Sequence, residues 1–224
     1  KLIALTNPNN PTGALISEQM LRDIAEIAST AGAWILCDEV YRGSNQTGSG
    51  MSVAMADIYE KGISTSGMSK VFSLAGLRLG WIAGPKYFIK DVMTHRDYDT
   101  ISIGMINDHL ATLALENYNP ILERTKRITR ENLAVLESWL CNEPRLSWVK
   151  PMSGTTALIK YERSINSYEF CRELLEKTGV MLTPGSAMGM EGYVRIGYAN
   201  APKILTDGLE RISNYLDTFS VKTH

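Results

Sequence analysis

Residues 2–6 form a short apolar run that reads as a strand and breaks at Asn7-Pro8-Asn9-Asn10-Pro11-Thr12-Gly13, a stretch dense in turn formers. Ser17 stands where a helix N-cap belongs. Met20, Leu21, Ile24, Ile27 and Ala28 follow at the spacing of one helical face, which ends near Gly32. Residues 33–37 are apolar and close in Asp38-Glu39, the pattern of a buried parallel strand whose C-terminal end meets a polar site. Residues 63–66 and 79–83 give two more short strands, and 86–97 and 105–117 give helical patterns. From about 120 to 141, Leu122, Ile128, Leu133, Leu136 and Leu140 share one face of a long amphipathic helix, with Arg and Glu on the other. Beyond Pro144 the pattern predicts strands near 155–160, 180–182 and 193–198, a helix at about 167–177 between them, and a last helix at about 202–219.

Strands alternating with helices predict a layered α/β domain over residues 1–120. The later cluster predicts a smaller α+β domain over 121–224, with the long helix as the bridge. The sequence shows no internal repeat and no low-complexity segment.

At 224 residues the chain is long enough for one large domain or two modest ones. Hydrophobic residues at 44% and charged residues at 21% argue against compositional disorder. A formal net charge of −1 supplies no global basic field for nucleic acid or an anionic membrane. No apolar run approaches the roughly 18 residues that span a bilayer, and the opening run is too short for a signal peptide. Cys37, Cys141 and Cys171 have neither a metal-ligand nor a disulfide spacing, and read as reduced thiols of a cytoplasmic protein. The chain starts without Met on an interior-like strand, and reads as the remainder of a longer protein.

Most lysines are solvated surface charges, but Lys70 has unusual neighbours. Ser66-Gly67-Met68-Ser69 precede it, and Leu74-Ala75-Gly76-Leu77-Arg78-Leu79-Gly80 follow. A lysine among small residues can sit close to a ligand and, when partly desolvated, serve as an amine nucleophile. Asp38 at a strand end reads as a helix cap, a surface charge or a site acid. Arg195, central in Tyr193-Val194-Arg195-Ile196-Gly197-Tyr198, reads as a water-facing edge residue or as a buried cation that needs a partner. His95 and His109 lie in helical patterns without a spaced partner, so no metal site is expected. Tyr98, Tyr118 and Trp139 read as core or interface aromatics. Thr183-Pro184-Gly185-Ser186 reads as a turn.

The segment around Lys70 resembles the lysine signature of class I/II aminotransferases, pyridoxal-phosphate enzymes of the aspartate-aminotransferase fold type I. In that signature Ser-Lys is followed eight residues later by Arg, as Lys70 is by Arg78. Asn9-Asn10-Pro11-Thr12-Gly13 resembles the family's Asn-Pro-Thr-Gly turn, and Asn10, Asp38, Lys70, Arg78 and Arg195 fall in family order. The resemblance implies that Lys70 carries pyridoxal 5'-phosphate as a Schiff base and then moves the substrate's α-proton. Asp38 pairs with the ring nitrogen, and Asn10 and Tyr41 bind the phenolic oxygen. Ser66, Ser69 and Arg78 hold the phosphate, and Arg195 with Asn10 holds the substrate carboxylate. Glu39 reads as structural. Gly67 departs from the pattern, since many members have a phosphate-binding serine there. Thr183-Pro184-Gly185-Ser186 resembles a loop that closes near the substrate.

The resemblance further implies a three-layer α/β/α large domain, incomplete at its N-terminal side, and a smaller C-terminal α+β domain. It implies a homodimer acting on amino acid and 2-oxo acid substrates by ping-pong amino transfer. Two other readings share the scaffold: a carbon–sulfur β-lyase, and an aminotransferase-like domain of a transcription regulator.

Overall fold

The computed structural model describes residues 1–218. The chain divides into two compact units. The first comprises residues 1–9, 14–127 and 152–154, and the second residues 10–13, 128–151 and those from 155 on.

The first unit is built on a four-stranded sheet in the order β1 (Leu2–Thr6), β2 (Trp34–Asp38), β3 (Gly62–Gly67), β4 (Gly80–Ala83). β1, β2 and β3 are parallel and β4 is antiparallel. The crossover from β1 to β2 carries helix α1 (Glu18–Thr30), whose N-cap Ser17 accepts from the Met20 amide at 3.2 Å as the sequence pattern requires. Leu21, Ala25 and Ala28 of α1 pack on Ile35 and Cys37 of β2 and on Met55 and Tyr59 from the short helix α2 (Met55–Ile58) and its end. The turn after β1 is fixed by Asn7, 2% exposed, whose side-chain oxygen accepts from the Ile16 amide at 2.9 Å. Helices α3 (Lys86–Arg96), α4 (Met105–Glu116) and the start of α5 (Tyr118–Cys141) complete this unit.

Gly67 and Gly80 face each other across β3 and β4. A Cβ at Gly67 would lie 3.0 Å from the Leu79 carbonyl oxygen, and one at Gly80 would lie 2.8 Å from that of Ser66. The two backbones approach closely there, and glycine at both positions accommodates the contact without a shift.

The second unit has an antiparallel sheet in the order β5 (Leu146–Trp148), β6 (Thr156–Tyr161), β8 (Tyr193–Gly197), β7 (Thr183–Pro184). Alternation along β6 and β8 sends Ala157, Ile159, Tyr161, Val194 and Ile196 into a core shared with Leu133, Leu136 and Leu140 of α5, with α6 (Ser167–Thr178) and with α7 (Pro202–Asp217). Phe170 stacks on Tyr161 at 4.5 Å between ring centroids. β5 is absent from the sequence reading. The strand expected at 180–182 instead forms at Thr183–Pro184, because there the chain pairs with Val194 and Arg195. The last helix ends at Asp217, and position 219 lies outside the described residues.

The buried face of α5 is more polar than its leucine stripe predicts. Thr125, Lys126, Thr129 and Asn132 are all buried. Thr125 donates to the Val71 carbonyl at 2.7 Å, and the Asn132 amide donates to the Tyr198 and Asn200 carbonyls at 2.7 Å each. Thr125 and Asn132 thereby give loop carbonyls a buried donor.

Candidate active site

In a sheet with parallel strands, the loops after the strands' carboxyl ends form one edge, and ligands favour that edge. Asp38 is the last residue of β2, with an exposed side chain. Its Oδ1 accepts from the Val40 amide at 3.1 Å, and its carbonyl accepts from the Asn7 amide at 2.9 Å. Tyr41 is 4% exposed, and its carbonyl accepts from the Ser44 hydroxyl at 2.5 Å. Glu39, between them, is 3% exposed; its Oε1 accepts from the Met55 amide at 2.7 Å and the Ser64 hydroxyl at 2.6 Å. Burial pushes the Glu39 carboxyl above the ordinary carboxylate range against those two bonds. Burial, with the charges of Glu39 and Asp38, also pushes the Cys37 thiol up to about 12, which keeps it neutral and unreactive.

β3 ends at Gly67 on the same edge, and the chain leaves through Met68 (0% exposed), Ser69 and Lys70. The loop from 68 to 79 is closed at its neck by the Met68 amide donating to the Leu79 carbonyl at 3.0 Å, and by Leu74 donating back to Met68 at 2.9 Å. The Asn107 side chain of α4 donates to the Leu77 carbonyl at 3.1 Å. Lys70 is exposed on this loop, and among the described residues its ammonium has no hydrogen bond or ion pair. Arg78 closes the 3-10 turn Ala75–Leu77 in a left-handed conformation (φ 48°), and its Nη1 donates to the Ala75 carbonyl at 3.1 Å. A non-glycine residue held at positive φ is uncommon and marks a position set by its surroundings.

Ser66 sits differently from Asp38. The parallel register pairs Cys37 with Ser64 and Asp38 with Thr65, so alternation sends Ser64 and Ser66 to the face opposite Asp38. The Ser66 hydroxyl donates to the Glu39 carbonyl at 3.4 Å, and Ser66 lines a cavity of about 350 Å³ with Glu39, Ser64, Phe72 and Trp81.

The remaining two predicted residues belong to the second unit and meet there. Arg195 lies on β8, half-buried, on the sheet face away from the core. Its Nη1 donates to Asn10 Oδ1 at 3.4 Å and its Nη2 to the Thr183 hydroxyl at 3.1 Å. Thr156 Oγ1 also approaches Asn10 Oδ1, at 3.5 Å. Both acceptors of the Arg195 guanidinium are neutral, and among the described residues no carboxylate pairs with it. Such a cation retains its charge and most of its donors for an anion. The sequence reading assigned Thr183 only to a loop; its pairing with Arg195 follows from the β7–β8 register, which no local pattern announces.

The donor set suits a phosphorylated pyridine aldehyde. Among the described residues the Lys70 amine lacks a partner, a guanidinium and a hydroxyl stand on the same loop, and a carboxylate ends the neighbouring strand. Lys70 fits the aldehyde, Arg78 and Ser69 the phosphate, and Asp38 a protonated ring nitrogen.

The family model for aminotransferase class I and II matches residues 1–212, and the chain belongs to that family. It is 27% identical to an aspartate aminotransferase of Streptomyces avermitilis, over 96% of this chain and 56% of that protein. It is 30% identical to aromatic-amino-acid aminotransferase 2 of Thermococcus litoralis, over 96% of this chain and 57% of that one. The crystal structure of a PLP-dependent aminotransferase from Streptococcus suis superposes with a TM-score of 0.95 at 38% identity, covering 100% of this chain and 59% of that one. The fold is therefore that of the PLP-dependent aminotransferases, and the family implies pyridoxal phosphate. The chain spans less than three fifths of the length of each of these proteins. Among the described residues, no acidic, histidine or cysteine cluster could hold a metal ion, and no helix is long and apolar enough to cross a membrane.

Proposed function

We propose that this chain carries the catalytic lysine and most of the cofactor-binding residues of a pyridoxal-phosphate-dependent aminotransferase that moves an amino group between an L-amino acid and a 2-oxo acid by a ping-pong route. The observation that carries the proposal is Lys70: an exposed amine without a partner among the described residues, on a closed loop that it shares with Arg78, at the strand edge where Asp38 ends β2. In this reading residues 1–120 belong to the large cofactor-binding domain, and 121–224 form the bridging helix and small domain.

The cofactor supplies an electron sink for the bond broken at the substrate's α-carbon. Lys70 would hold the cofactor's aldehyde, and its amine would take up the substrate's α-proton and hand it on. Asp38 keeps the ring nitrogen protonated. Tyr41 and Asn10 donate to the phenolic oxygen. Arg78 and Ser69 grip the phosphate, and Ser66, turned toward Glu39, is the weakest member of that set. Arg195, with Asn10, holds the substrate carboxylate through its planar fork.

The names of the two relatives above point to aspartate and to aromatic amino acids, which supports the 2-amino acid class and leaves the side chain to be found. A cytoplasmic homodimer is part of the proposal. The exposed Met105 (86%) and Ile106 (75%) of α4 support it, as apolar side chains suited to a subunit contact.

The test is an absorbance spectrum with added pyridoxal phosphate, for wild type and Lys70→Ala, in this chain and in the full-length protein. A cofactor band that borohydride fixes onto Lys70 and that the variant lacks is the expected result, with turnover of the variant lower by about 10²- to 10⁴-fold. No band in the full-length wild type overturns the proposal. Ammonia release from an amino acid without a 2-oxo acid acceptor overturns the amino-transfer step alone.

A further inference from the structure

We infer that Thr183 is a positioning residue for Arg195, setting the direction of the guanidinium that receives the substrate carboxylate; the inference rests on the function proposed above. Three observations on β7 and β8 support it. Thr183 and Arg195 are directly opposed partners in the antiparallel register, so their side chains rise from the same face of the sheet. The Thr183 hydroxyl accepts from Arg195 Nη2 at 3.1 Å. Asn10 Oδ1 accepts from Nη1 at 3.4 Å, so two neutral oxygens steady the guanidinium from its two arms.

The hydroxyl is held by more than this hydrogen bond. Pro184 follows Thr183 and confines its backbone to the extended region. Gly185 comes next, buried where a side chain would run into the Tyr193 carbonyl, and its own carbonyl accepts from the Met190 amide at 2.9 Å. Threonine is β-branched and stiff at χ1, so a fixed backbone fixes its oxygen. An acceptor supplied by the scaffold orients the arginine without spending its charge. A carboxylate in the same place would orient it equally well and compete with the substrate for it.

Arginine offers five N–H donors. Thr183 and Asn10 each engage one, which leaves enough of the fork for a two-pronged grip on a carboxylate. Loss of the Thr183 oxygen lets the guanidinium rotate, and substrate binding then has to restore its direction. The cost falls on binding of every carboxylate-bearing ligand and spares the proton transfers at Lys70.

The experiment compares wild type, Thr183→Val, Thr183→Ser and Arg195→Leu as cofactor-loaded full-length proteins. It reads KM and kcat for an amino acid substrate, and the dissociation constant of that substrate's 2-methyl analogue, which has no α-proton to lose. Thr183→Val is expected to raise KM and the analogue's dissociation constant together, by about five- to tenfold, with kcat within about twofold and the cofactor band unchanged; Thr183→Ser restores both. Unchanged binding in Thr183→Val overturns the inference, as does a serine variant no better than valine, which would assign the effect to packing. Should the valine variant fail to fold, Thr183→Ala takes its place as the hydroxyl-free protein. Failure of the underlying reading looks different: a wild type with neither cofactor band nor amino transfer, or an Arg195→Leu protein that binds the analogue normally.

Discussion

Two carboxylates, one in each unit, make nearly the same bonds and respond to pH in opposite ways. Glu39 accepts from the Met55 amide and the Ser64 hydroxyl, and ties the end of β2 to α2 and β3. Glu191 accepts from the Ser167 and Gly192 amides and bonds the Ser167 hydroxyl at 3.1 Å, tying the loop before β8 to the start of α6. The Glu39 carboxyl is raised and that of Glu191 is lowered. Burial separates them. Glu39 is 3% exposed, and the loss of water outweighs its two donors. Glu191 is exposed, so the amides of Gly192 and Ser167 act on it with little opposition. Counting hydrogen bonds alone gives the wrong sign for one of the two; solvent access decides.

The sharpest way to break the comparison is to delete the buried carboxyl. Glu39→Ala leaves the Met55 amide and the Ser64 hydroxyl without an acceptor, and is expected to cost the first unit about 3 kcal/mol. Urea unfolding with hydrogen exchange at the Met55 amide reads this directly. A loss below about 0.5 kcal/mol, the usual range for surface substitutions, would mean that water replaces the carboxylate and that the site is not dry. Glu39→Gln keeps an acceptor and removes the titration, so its effect appears in the pH profile. A carboxyl raised on folding contributes stability that is full below the ordinary carboxylate value of 4.5 and is lost as pH rises through the folded value. Wild type should therefore lose stability in the first unit as pH climbs above that value, and the glutamine variant should lose less. Parallel profiles for the two proteins would refute the assignment to Glu39.

The same contrast shows what the chain's linear pattern can carry. The places of Asp38 at the end of β2 and of Lys70 and Arg78 on one loop were legible, because local order sets strand ends and short loops, whereas their roles rest on the family resemblance. Helices α1, α6 and α7 were legible from one-sided apolar periodicity. Thr183 was not, because its importance comes from a partner twelve residues later in a different strand. The strand there was expected at 180–182, where the side chains are most apolar, whereas pairing with β8 places it at the more polar Thr183–Pro184. The polar stripe of α5 escaped for a related reason. Thr125 and Asn132 are buried because distant carbonyls need donors, and a hydrophobicity pattern has no sign for that need. Ser66 and Ser69 look alike in sequence, yet strand alternation continues through Ser66 and has ended before Ser69, so only Ser66 is committed to the Glu39 face.

Smaller effects sharpen the other half of the comparison. Glu191→Gln should leave stability near neutral pH lower by less than Glu39→Ala does, and should flatten the acid limb of the second unit. A carboxyl lowered on folding contributes stability that is present above its ordinary value and is lost as pH falls through the folded value. Protection of the Ser167 amide against exchange, followed from neutral pH downward, checks this; an acid limb unchanged in the variant would place the linkage elsewhere. Smallest of all is Arg172→Ala. Arg172 bonds Glu169 and Glu176 at 2.7 Å each on the surface of α6, which is geometry as good as that at Glu191. All three side chains are open to solvent, so the attraction is screened and ordering two long side chains offsets it. Thermal unfolding of the second unit should not shift measurably. A clear downward shift, abolished by high salt, would show that this surface network stabilises α6.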